Sequence, residues 1–211
     1  MKKFELTNEF ITNMFGTKLF RIRALVEFGD VEAGELGGYV EKESNLGHDD
    51  NAWVYDNAWV YGDAQVSGDA LVYDNARVYG NARVYGDAQV SGNALVYDNA
   101  WAYDNAWVYG NAQVSGDALV CGDARVCGNG DYAYAHGFGS VNRTTTFFRL
   151  KDGGVGVRCG CFYGTLAQFR DKIRETHGET KKAQEYLMLA DLMELRFEED
   201  ENEVGNRKYV E

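Results

Sequence analysis

The sequence predicts a mainly β chain in which one long solenoid of very short strands is closed by a β-rich N-terminal cap and followed by a small α+β unit. Three observations carry that prediction. From Asn51 to Gly128 the chain is thirteen consecutive six-residue units without a gap. Inside them Ala and Val recur two residues apart, and nearly every junction between units joins Gly or Asp to Asn or Asp. Before and after this run the six-residue period is lost, and strand-like and then helix-like patterns take over. No proline occurs in the chain, as suits a fold made of continuous ladders that need every backbone donor.

Each unit reads [Asn/Asp]-Ala-x-Val-[Tyr/Ser/Cys]-[Gly/Asp], with Ala102 in place of one Val. Residues two apart in a strand point to one face. Ala and Val are therefore expected inside, and x and the Tyr position outside. Gly or Asp followed by Asn or Asp is turn chemistry, because these residues tolerate left-handed backbone and bond their own main chain. One unit cannot bury its apolar face alone, whereas stacked coils can. The exterior repeats every four units: DAQVSG at Asp63 recurs at Asp87 and, as NAQVSG, at Asn111. A three-sided coil would stack Trp53, Leu71, Gln89, Trp107 and Arg125 in one column. A four-sided coil would stack Gln65, Gln89 and Gln113.

These units resemble the hexapeptide-repeat, left-handed parallel β-helix family, in which three hexads make one triangular coil. The resemblance covers about a third of the chain and favours the three-sided coil; the four-unit exterior period is then read as a trace of duplication without geometric meaning. The resemblance also implies a homo-oligomer, dimer or trimer. The segment FRIRALVEFGDVEAGELGGYVEKESNLGHDDNAWV is similar to the corresponding part of YdcK-like hexapeptide-repeat proteins. The best-known relatives are acyltransferases with a histidine general base and a loop that interrupts the coils. Here no hexad contains His, nothing interrupts the run, and His48, His136 and His177 lie outside it, each expected as a solvated loop residue.

Three parts follow in order. Residues 1–50 are expected to form the β cap and a degenerate first coil. Phe20, Ile22, Ala24, Val26 and Phe28 alternate as a half-buried strand, Phe15-Gly16-Thr17-Lys18 offers a turn before it, and Val40 and Leu46 stand six apart. Residues 51–130 form the solenoid. Residues 131–211 form a linker and a ββαα unit: strands at Thr145–Leu150 and Val155–Phe162 joined by Lys151-Asp152-Gly153-Gly154, a helix opened by the Thr165–Gln168 capping box and ended by Gly178, and a second helix from Lys181 to Phe197 with Ala183, Leu187, Ala190, Met193 and Phe197 on its buried stripe. The acidic stretch from Glu198 to Glu203 is expected to fray. The stretches TTTFFR, RCGCFYGT and RETHG resemble uncharacterised phage and prophage proteins with similar repeats, implying a phage or mobile-element origin.

The net charge of −12 argues against a general duplex nucleic-acid binder, whose affinity comes from clustered Lys and Arg. The segment MKKFELTNEF lacks the apolar core of a signal peptide, and no window approaches the roughly 18 apolar residues of a membrane span. A protein of the bacterial cytoplasm, without membrane association, is expected. Four cysteines are expected as free thiols, with Cys159 and Cys161 on one strand face. No cofactor, metal or catalytic residue is assigned.

Two groups of residues carry the functional expectations. The solenoid exterior offers Trp53, Tyr55, Trp59, Tyr61, Arg77, Tyr79, Arg83, Tyr85, Trp101, Tyr103, Trp107 and Tyr109 as a binding surface, with Tyr61, Tyr79 and Tyr97 stacked. The plainer account of the same residues is cross-strand packing, at about 0.2–1 kcal/mol per pair, and surface Arg–Asp pairing for Arg77, Arg83 and Arg125. In the C-terminal unit Arg149, Arg158, Tyr163 and His177 are expected to converge near the hairpin-to-helix turn. The leading expectation is a non-catalytic scaffold that binds a partner or itself through its aromatic ladders. The alternatives are a phage protein that binds a small anionic ligand or sequesters a nucleotide signal, and, less favoured, an acyltransferase-like enzyme.

Overall fold

A computed structural model describes residues 2–198 of the protein. Each hexad contributes a two-residue strand, from Trp53–Val54 to Arg125–Val126, paired in parallel with the strand three hexads away. Trp53 lies opposite Leu71, and Leu71, Gln89, Trp107 and Arg125 follow in the same column. The coil is therefore three-sided with 18 residues per turn, and the four-sided alternative is excluded. The other faces stack Trp59, Arg77, Leu95 and Gln113, and Gln65, Arg83, Trp101 and Leu119.

The interior is the Ala and Val of the hexads, every one at most 1% exposed. Burial of each Val stabilises by about 1.5–3 kcal/mol relative to leaving it in water. The last residue of the first twelve hexads has φ between 51° and 71°. Glycine takes that conformation without a Cβ clash, and aspartate tolerates it. The aspartate corners also work across coils: Asp74 Oδ2 accepts the Gly92 amide at 2.9 Å. Asparagine side chains at the first hexad position form their own ladder, Asn81 to Asn99 and Asn99 to Asp117, each at 3.1 Å.

The exterior period does have a geometric consequence. A motif that repeats every four hexads on a coil of three reappears one coil on and one face round. Its first two x positions are both Trp in one unit and both Arg in the next. Stacking then sets each arginine beside a tryptophan. Arg77 lies 4.2 Å from the Trp59 ring centroid, Arg83 5.1 Å from Trp101 and Arg125 4.5 Å from Trp107. The expected Arg–Asp pairing is replaced by cation–π contact, which suits a weakly hydrated guanidinium on an indole face.

The ladder amides of the x and Tyr positions point toward the later coil, as in Trp59 N to Ala76 O at 2.9 Å. The first coil thus exposes the carbonyls of its Ala positions, and the last exposes amides of its x and Tyr positions. At the leading end an antiparallel hairpin, Phe4–Thr12 with Lys18–Ala24, pairs with the strand Leu36–Val40, which in turn pairs in parallel with Trp59–Val60, making a seven-stranded sheet. The turn expected at Phe15–Lys18 is closed slightly earlier, over Asn13–Thr17, with Lys18 opening the second strand. The first strand of the hairpin has no clean period-two signal and is not legible in the sequence. The expected strand from Phe20 to Phe28 stops at Ala24, and a register irregularity buries Leu19 and Ile22 rather than one unbroken alternation. The first coil runs two residues longer than the others, with Val40 opposite Val60 and Leu46 opposite Val66. Gly38 is fixed by close approach, since a Cβ there would lie 2.7 Å from the Ala58 carbonyl.

Donors cap the carbonyls of this end. Lys3 Nζ reaches the Asp50 and Ala52 carbonyls at 3.2 and 2.8 Å, and Asn45 Nδ2 reaches those of Gly62 and Ala64 at 3.1 and 2.8 Å. At the trailing end acceptors meet the amides, and the Tyr132 hydroxyl also donates to the Gln113 carbonyl at 2.7 Å. Asn129 Oδ1 accepts from Gln113 at 2.8 Å, the Tyr132 hydroxyl from Ser115 at 3.3 Å, Thr146 Oγ1 from Leu119 at 2.9 Å and the Tyr163 hydroxyl from Asp123 at 3.4 Å.

The C-terminal unit is a four-stranded antiparallel sheet, Tyr132–Phe138, Arg143–Arg149, Val155–Cys159 and Phe162–Thr165, packed on helices α1 (Leu166–His177) and α2 (Lys181–Phe197). The expected ββαα order undercounts the strands. Tyr132–Phe138 carries little buried apolar pattern, and a turn at Gly160–Cys161 splits the second expected strand. Cys161 accordingly sits in a turn and not on the strand with Cys159. Both helices form as expected, with the Thr165–Gln168 capping box in place. The strand Arg143–Arg149 serves two cores: Phe148 packs into the solenoid and Phe147 against the helices. The expected fraying after Glu198 lies outside the described residues.

Candidate functional site

The three solenoid faces differ in what covers them. The Gln65–Leu119 face borders the C-terminal unit. Along that border Tyr103 is 7% exposed and Cys121 1%, and the Arg158 guanidinium lies 5.9 Å from the Tyr103 ring. Burial pushes the Tyr103 phenol far above its ordinary range and raises the Cys121 thiol, which hydrogen-bonds Tyr103. Trp53, at the leading end, is fully buried with Phe4 and Phe28 edge-on to it. Trp53 and Tyr103, expected on the binding surface, are therefore core residues: each hexad looks alike in sequence, and position along the rod decides which is covered.

The faces beginning at Trp59 and at Leu71 keep their aromatic residues at the surface. Tyr61, Tyr79 and Tyr97 stack at ring-centroid distances of 5.0 and 5.1 Å, tilted by no more than 6°. On the covered Gln65–Leu119 face Tyr85 likewise stacks on Tyr103 at 5.0 Å. Ring faces are thus shared within each row, and the surface receives ring edges and hydroxyls. Partial burial raises the phenols of Tyr55, Tyr61, Tyr79 and Tyr85, so they are neutral hydroxyls at neutral pH. Trp107 is 39% exposed beside Arg125, and Tyr109 is half-buried on the same face. Trp59 and Trp101 are half-buried, while Arg77 and Arg83 are exposed.

The four residues expected to converge in the C-terminal unit do not. Arg149 is buried, with its guanidinium 5.3 Å from the Phe197 ring and Nη1 bonded to the Gly153 carbonyl. Arg158 and Tyr163 are cross-strand partners facing the solenoid. His177 ends α1 and stacks on Tyr186 at 5.9 Å. Strand direction separates them: Arg149 and Arg158 lie on neighbouring antiparallel strands, but Arg149 pairs with Val155 and Arg158 with Thr146.

Histidines and cysteines have structural neighbours. His48 stacks on Phe4 at 4.5 Å and accepts the Lys3 amide at Nδ1, so it is no loose loop residue. His136 Nδ1 lies 3.0 Å from Thr144 Oγ1. All four cysteines are free thiols, and Cys159 accepts a hydrogen bond from Thr145 Oγ1 at 3.2 Å. Among the described residues no three His, Cys, Asp or Glu side chains are grouped to hold a metal ion.

A concavity that the sequence did not flag lies between the turn at Gly160 and helix α1, with a volume of about 220 Å³. Arg143, Lys172 and His177 line it. The sequence signal was faint: Lys172 and Thr176 stand four apart on one face of α1, and Arg143 opens the strand before them.

Among the described residues no helix is long and apolar enough to cross a membrane. Residues 64–79, 76–88, 88–104 and 112–128 match the family described as the YdcK β-solenoid repeat. No curated protein matches the chain. Those matches fall on the hexads whose Ala and Val close the three-faced interior, and that solenoid is similar to the β-helix repeat superfamily.

Proposed function

We infer that the protein is a non-catalytic interaction scaffold, a rigid three-faced rod that holds a partner or a second copy of itself on the faces its C-terminal unit leaves open. The observation that carries this reading is the pair of ordered ladders on those faces: the stacked row Tyr61, Tyr79, Tyr97 and the arginines seated on Trp59 and Trp107. Side chains already held in place lose little conformational freedom on binding, and Tyr, Trp and Arg are the residues that dominate interface energetics. The phage or prophage setting belongs to the same proposal and rests on the resemblance of the C-terminal stretches. The test is the triple variant Trp59→Ala, Arg77→Ala, Trp107→Ala, examined by light scattering and far-UV dichroism. Loss of self-association with an unchanged spectrum supports the reading. If the variant keeps the wild-type mass and partner binding, the open faces are not the interface.

A second reading, binding of a small anionic ligand, is favoured by the concavity lined by Arg143, Lys172 and His177.

A further inference from the structure

The concavity in the C-terminal unit has two unlike halves. One is apolar: Phe162, Phe169 and Ile173, with the Tyr186 ring beside them. Phe169 and Ile173 are at most 4% exposed and belong to the core of the unit, so this wall is rigid. The other half is basic: Arg143, Lys172 and His177. Among the described residues that line the cleft there is no Asp or Glu, in a chain whose net charge is −12.

The Arg143 guanidinium lies against the turn at Gly160. The Gly160 turn residue has φ of 60°, and a Cβ there would collide with the guanidinium. Glycine therefore serves both the turn and the space that Arg143 occupies. None of the ion pairs among the described residues involves Arg143. Lys172 pairs with Glu175 at 2.7 Å on an exposed part of α1, a bond that contributes little and is readily exchanged. His177 packs on the Tyr186 ring at 5.9 Å, tilted by 26°, and the Tyr186 hydroxyl is in turn fixed by the Ser140 amide at 3.2 Å.

We propose that this cleft binds a small aromatic anion, its ring against Phe162 and Phe169 and its phosphate or carboxylate between Arg143 and Lys172. The volume of about 220 Å³ equals that of roughly seven water molecules, which suits a ligand group of about ten non-hydrogen atoms. An apolar wall with a few convergent polar groups is the usual make-up of a small-molecule site, and a guanidinium fork matches the geometry of either head group. The site is separate from the solenoid faces, so its fate and that of the scaffold reading are independent.

The test is calorimetric titration of the full chain with phenyl phosphate, benzoate, benzyl alcohol and inorganic phosphate. Phenyl phosphate or benzoate is expected to bind with Kd of about 0.1–1 mM, and the tighter of the two identifies the head group. Benzyl alcohol and inorganic phosphate, each lacking one half of the match, are expected to bind about tenfold more weakly or not at all. R143Q and K172Q should each weaken the aromatic anion about tenfold. The exposed position of Lys172 keeps that variant informative even if R143Q melts early. Benzyl alcohol binding as tightly as benzoate, unchanged affinity in K172Q, or no heat with either aromatic anion would overturn the proposal.

Discussion

The two ends of the solenoid are closed by opposite chemistry. At the leading end an ammonium and a side-chain amide donate to carbonyls, through Lys3 and Asn45, which are 3% and 0% exposed. At the trailing end hydroxyls and an amide oxygen accept from amides, and the tyrosines among them sit nearer the solvent. In a parallel coil the x and Tyr amides face the later coil while the Ala carbonyls face the earlier one, so the two edges are complementary to one another. Left bare, such edges would stack end to end into a filament. Lys3 and Asn45 work at greater depth than the trailing tyrosines Tyr132 and Tyr163, and an unmet polar group costs more there.

That contrast can be broken in order of size. Asn45→Ala removes the donor to two buried carbonyls and the acceptor for the Lys42 amide, and should cost about 3 kcal/mol in urea denaturation. Lys3 comes next, through pH. Burial lowers its pKa from 10.5 to about 8 against the pull of Asp50, Asp49 and Asp69. Between those two values the unfolded chain keeps a proton that the folded chain has released. Stability should therefore rise from pH 8 toward 10 by about 2 kcal/mol relative to Lys3→Met. Above pH 10 the buried tyrosines, whose phenols are held above their ordinary value, act in the opposite direction and set the upper limit of the comparison.

The trailing end should be milder. Tyr163→Phe keeps the ring and leaves the exposed Asp123 amide without its acceptor, at a cost of about 1 kcal/mol. If Tyr163→Phe proves as damaging as Asn45→Ala, the difference between the two caps is not one of burial. The smallest effect belongs to the middle of the rod, where Arg77→Gln removes the exposed cation from the Trp59 face and should cost about 0.5 kcal/mol.

What the sequence discloses follows from what repeats. Ala and Val at fixed spacing disclose the interior, and Gly or Asp beside Asn or Asp discloses the corners, because each hexad states the same local physics thirteen times. The helices of the C-terminal unit were equally plain from Thr165, Gln168 and Gly178. The caps were hidden, since their hydrogen bonds join residues far apart, such as Lys3 with Ala52 and Leu119 with Thr146. Trp53 and Trp59 stand in the same motif, yet the first is core and the second is surface, a distinction made by Phe4 and Phe28 folding over the end. The cleft stayed unread for a similar reason. Arg143, Gly160 and Lys172 meet only after two strands and a helix have packed.

The mismatch between the repeat and the coil has a consequence for growth. Gain of one duplicated four-hexad unit adds a full coil and one further side, and loss removes them. The C-terminal unit would then keep its axial docking but turn by a third of a revolution relative to the N-terminal hairpin. Repeat number in such a chain acts as a phase setting: it decides which compass bearing the appended domain faces, while the tryptophan-to-arginine alternation decides whether the new neighbours across the seam attract or repel.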